Sequence, residues 1–115
     1  MYQEYDSIFH SNGTNYDLNK VFAIAADILT VEFDISDLQR LLIMNSTVNT
    51  QSLQKIDWQR VAQADLQYPI IISQCSEGLI IVDGMHRYIK AITSGDDLVV
   101  KTIYITPEEL ETTRI

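Results

Sequence analysis

Apolar positions along the chain recur with two periods, and the places where one gives way to the other mark out the elements. Leu18, Val21, Phe22, Ala25, Ile28 and Leu29 fall on one face of a helix that Asp17 is placed to cap. Val31, Phe33 and Ile35 then alternate with Glu32 and Asp34, the period of a half-buried strand. Ser36 to Gln39 has the form of a capping box and predicts a short helix through Leu38, Leu41 and Leu42. Asn45 to Ser52 is polar without periodicity, a loop and a candidate lid. Trp58, Val61, Ala62 and Asp65 return to the helical period with Asp57 as cap, and Tyr68-Pro69 stops that helix.

From Ile70 the chain turns to strands. Ile70–Gln74 and Leu79–Val82 flank Glu77-Gly78 and predict a hairpin. Both runs are nearly all apolar, so the sheet is expected to be covered on its two faces, with Leu79–Val82 as an inner strand. After Asp83-Gly84, the spacing of Met85, Tyr88, Ile89 and Ile92 predicts a helix to about Thr93, with Gly95 as its C-cap. Leu98–Ile105 reads as the last strand. Thr106-Pro107-Glu108-Glu109 carries cap, proline and box glutamate for a short closing helix. Residues 1–17, dotted with Tyr2, Tyr5, Phe9 and Tyr16, read as an N-terminal arm. The expectation is an α/β (α+β) fold: one compact domain over residues 18–115, a small mixed sheet with helices packed around it.

Composition narrows the functions. The chain has 115 residues and a net charge of −8, with acids spread from Glu4 to Glu111. Such a surface repels a phosphate backbone and argues against DNA as a partner. Eight cations stand against sixteen acids, and Arg87 with Lys90 is the closest pair of them. Cys75 is the single cysteine, which leaves no intramolecular disulfide and no multi-cysteine metal site; it reads as a strand-end residue rather than a nucleophile. His10 and His86 are far apart in sequence, and no metal site is expected. The start of the chain lacks the form of a signal peptide, and no apolar run approaches the ~20 residues that span a bilayer. A soluble, cytoplasmic protein is expected, with its oligomeric state open.

The pointed chemistry gathers at Asp83-Gly84-Met85-His86-Arg87. His86 and Arg87 fall in the first turn of the helix, where free N–H groups and the macrodipole disfavour a cation by roughly 0.3–1 kcal/mol unless an anion offsets it. A phosphate could approach the backbone at Gly84, with Arg87 forking onto its oxygens and His86 adding a proton or a hydrogen bond. The chain also holds its own anion: Asp83 can cap the helix and pair with Arg87 one turn on.

Strand, DGMHR and helix together resemble the ParB/sulfiredoxin superfamily, in which a Gly-x-His-Arg or Gly-x-Arg-Arg turn holds nucleotide phosphates. The resemblance runs from about Val31 to Leu110 and is best from Tyr68 onward. Gly84, His86 and Arg87 match the sulfiredoxin motif, but Met85 stands in place of its catalytic cysteine, which excludes that chemistry. Against the ParB motif, Gly84 and Arg87 match, while Met85 and His86 replace a glutamate and an arginine. Aspartate before the glycine is similar to small ParB-like domains and free-serine kinases. The resemblance implies a ligand site of Gly84, Met85, His86 and Arg87, with Arg60 and Gln63 of the preceding helix as further contacts. It also implies ATP or another NTP with Mg²⁺, and a phosphotransferase or NTPase in which Asp83 and His86 are the catalytic candidates, with Glu32 and Asp34 as remoter acids. The second class kept open is a non-catalytic protein-interaction factor, of phage or mobile-element kind, that retains the fold without turnover. A nuclease ranks last.

Overall fold

The last strand in the sequence is a central one in the sheet. The structure is a computed structural model, and it describes residues 8–11, 13–45, 58–75, 78–94 and 98–115. Strands β3 (Val31–Asp34), β4 (Ile70–Cys75), β5 (Gly78–Asp83) and β6 (Val99–Tyr104) form a mixed sheet in the order β3-β6-β4-β5. β6 pairs antiparallel with β3 and parallel with β4, so that Thr102 is the register partner of both Val31 and Ile70. β4 and β5 form the expected antiparallel hairpin, closed at Gly78, whose φ of 123° is readily reached only without a Cβ.

Alternation along these strands sorts the core into two clusters. Ile70, Ile72 and Val100, joined by Phe33, Leu79 and Ile81, pack beneath α2 (Ile35–Asn45), α3 (Trp58–Gln63) and α4 (Met85–Ser94). Ile71, Val82 and Ile103, with Ile80, pack against α1 (Leu18–Ala25) and α5 (Pro107–Glu111). The two-sided cover explains the unbroken apolar runs. The strand order corrects one expectation: among the described strands β5 lies at the edge, and β4 lies between it and β6. An apolar run reports which faces are buried, and hydrogen-bonded neighbours leave no mark on it. With a radius of gyration of 13.2 Å, the molecule has the size of one domain of this length. No helix among the described residues is long and apolar enough to cross a membrane.

Helix ends follow their caps. Asp17 Oδ1 accepts from the Asn19 N–H at 2.9 Å, as expected, and the Thr106–Glu109 box closes at 3.1 and 3.0 Å. α2 begins at Ile35, ahead of the box read at Ser36, because Ile35 is buried in the first cluster and its N–H is held by Leu98 O at 2.8 Å. The helix reaches Asn45; the candidate lid beyond it, Asp57 and Gly95 lie outside the described residues. α3 stops at Gln63, short of Asp65, whose carboxylate takes the Gln67 N–H at 2.9 Å and folds the chain toward β4.

The segment read as an arm holds more structure than its sequence announces. β1 (Ile8–Ser11) and β2 (Thr14–Asp17) pair around Gly13, at φ 80°, and Phe9 meets Tyr16 at 5.8 Å between ring centroids. Both rings pack on the second cluster. Asp17 N–H to Thr113 O at 2.8 Å and Ile115 N–H to Asn15 O at 2.9 Å tie the hairpin to the segment after α5.

Candidate functional site

β5 ends at Asp83 and α4 begins at Met85, leaving one residue to turn the chain. Gly84 makes that turn at φ 102°, and its carbonyl accepts the first helical bond, from the Tyr88 N–H at 2.8 Å. A Cβ at Gly84 would lie 3.1 Å from Arg87 Nη2, 3.2 Å from Nε and 3.2 Å from Ile70 Cα. Glycine is therefore needed twice, for the backbone angle and for the guanidinium lying over it.

Arg87 Nη2 donates to Asp83 Oδ2 at 2.8 Å and to the carbonyl of Pro69 at 3.1 Å. The arginine side chain is 13% exposed and the aspartate 22%, so the pair sits in a half-dry setting where ionic hydrogen bonds are strong. The internal anion foreseen as the alternative to a ligand is thus in place. Both contacts use one nitrogen of the guanidinium, and together they join the β5–α4 turn to the start of β4. Arg87 works here first as a clasp.

The next cation on α4 does the same kind of work. Lys90 Nζ donates to Ala62 O at 3.0 Å and Ala64 O at 2.7 Å, placing an ammonium on the carbonyls that end α3. A positive charge there offsets the negative end of the α3 dipole. Neither carbonyl partner has a sequence signal, because main-chain acceptors look alike whatever residue carries them. The nearest hint is Tyr68-Pro69, read only as a helix stop.

The remaining candidates divide. His86 is half-buried in the first turn of α4, beside Gly84. Met85 packs against the first cluster, so what it offers a ligand is backbone. Arg60 lies half-buried in the last turn of α3, the helix packed against α4, while Gln63 is exposed at the end of α3. Glu32 and Asp34 are not brought to the turn: β6 and β4 stand between β3 and β5, three strand spacings or about 14 Å. Among the described residues no group of three His, Cys, Asp or Glu side chains is placed to hold a metal ion. A magnesium ion carried in with a nucleotide would need one or two carboxylates beside the phosphates, and Asp83 is the acid next to Gly84. Arg87 takes its Oδ2, so an ion there would be held through Oδ1. Comparison with protein-family models, curated proteins and solved structures finds no match to this chain.

Proposed function

We propose that the start of α4 binds the phosphate of a small ligand, a nucleoside triphosphate being the class that the DGMHR turn suggests. The observation that supports this most is the left-handed Gly84 between a half-buried strand and a ten-residue helix, with a guanidinium fixed beside it. Backbone of the first turn and the side chain of His86 are the direct contacts. Arg87 is a positioning residue that fixes the turn through Asp83 and Pro69, and its charge lies within reach of an incoming anion. Turnover, as a phosphotransferase or NTPase, would add one requirement, that Asp83 hold Mg²⁺ or accept a proton through the oxygen that Arg87 does not take.

Calorimetric titration with ATP, CTP and GTP, with and without Mg²⁺, tests the reading. Saturable binding that weakens about tenfold in His86→Ala, at an unchanged melting temperature, is the expected result. Silence at millimolar nucleotide would leave the turn as a clasp alone. The second reading, an interaction protein without turnover, is favoured by the internal use of both Arg87 and Lys90.

A further inference from the structure

β3 is the outermost strand on its side of the sheet, and no other described strand pairs with its far edge. The direction of its main-chain groups follows from the register. Ile35 stands opposite Leu98 and its N–H bonds to Leu98 O at 2.8 Å, so by the antiparallel alternation Val31, Phe33 and Ile35 are the residues that exchange hydrogen bonds with β6. Glu32 and Asp34 therefore turn their N–H and C=O groups outward. Their carboxylates share one side of the strand and both are exposed. Neither makes an ion pair among the described residues, although Lys101 is the register partner of Glu32. On the opposite side of the strand Val31 is 56% exposed, and Leu29 just before it is 90% exposed.

A second copy of the chain fits this edge badly. The antiparallel registers that overlap most of β3 place Glu32 opposite Glu32 or Asp34 of the other copy, and like charges across a strand pair are destabilising. Charged edges of this kind are a common guard against aggregation. Exposed Val31 and Leu29 work against such a guard, and they suit a strand that admits one kind of partner. We infer that the outer edge of β3 receives an extended segment of a basic partner protein, with lysine or arginine at alternate positions and apolar residues between them. Main-chain bonds to Glu32 and Asp34 supply the pairing, the basic side chains meet the two carboxylates, and the apolar ones cover Val31. This surface is separate from the Gly84 turn, so its test stands whether or not the turn binds phosphate.

The test uses three acetylated, amidated five-residue peptides: alternating lysine and valine, alternating glutamate and valine, and lysine and valine in block order. Amide spectra and hydrogen exchange of the isotope-labelled protein give the readout. The alternating lysine peptide should shift and protect the amides of Glu32 and Asp34, and the block peptide should not. In the doubly substituted Glu32→Lys, Asp34→Lys protein, whose fold is checked by its melting curve, affinity for the lysine peptide should fall at least about tenfold and the glutamate peptide should bind instead. Equal response to the alternating and block peptides, no saturation, or protection elsewhere on the sheet would overturn the inference. Should the double variant fail to fold, Glu32→Gln with Asp34→Asn must still weaken the lysine peptide and leave the glutamate peptide unbound.

Discussion

The two edges of the sheet handle charge in opposite ways. At the β5 edge the cations of α4 are drawn inward, Arg87 onto Asp83 and Pro69, and Lys90 onto the end of α3. At the β3 edge Glu32 and Asp34 face solvent, and no ion pair among the described residues engages them. Charges used to hold a turn are half-buried and their loss should be read in stability. Charges left on an exposed edge cost the fold little, and their loss should be read only in association.

Gly84→Ala is expected to have the largest effect. The new methyl group meets the Ile70 backbone as well as Arg87, and it stands at a positive φ, so a loss of about 2–3 kcal/mol in denaturant melting is predicted. A loss below about 1 kcal/mol would mean that the turn is softer than the contrast requires. Arg87→Ala comes next, at about 1.5–3 kcal/mol, since it leaves a partly buried carboxylate and the Pro69 carbonyl without their shared donor. Were Arg87→Ala as stable as the parent, the clasp would have no energetic content and the arginine would be kept for a ligand.

Lys90→Met keeps the aliphatic stem and the helix propensity while removing the ammonium from α3. About 1 kcal/mol should be lost, and hydrogen exchange should quicken first in residues 61–64. Glu32→Gln completes the scale at under about 0.5 kcal/mol in either direction. A larger change on melting would show the β3 carboxylates to be part of the fold after all, and the two edges would no longer differ in kind.

Features written in neighbouring residues were legible from the sequence. The Asp17 cap, the Thr106–Glu109 box, the β4–β5 hairpin and the start of α4 after Gly84 each depend on one short, continuous stretch of chain. What escaped depends on distant partners. The β1–β2 hairpin is steadied by Thr113 and by packing on the second cluster, so its own residues looked like an arm. β5 looked internal because its run is apolar on both faces, although only Val82 is fully buried, while its place at the edge of the described strands is a property of the sheet order. At the candidate site, the residue types and the Asp83–Arg87 pair could be read from spacing. The bonds from Arg87 to Pro69 and from Lys90 to α3 could not, since they bridge 18 to 28 residues to anonymous carbonyls.

The position of β6 also bears on how the chain is born. The hairpin of β4 and β5 can close as soon as it leaves the ribosome, but β3 must wait for a strand whose residues are made some seventy positions later, Val31 finding Thr102. At the usual pace of translation that is a delay of roughly 3–15 s, during which Val31 and Phe33 have no sheet to join. Folding of the nascent chain is thus expected to be sensitive to chaperone supply, and faster synthesis of the stretch between β3 and β6, which shortens the wait, should raise its yield.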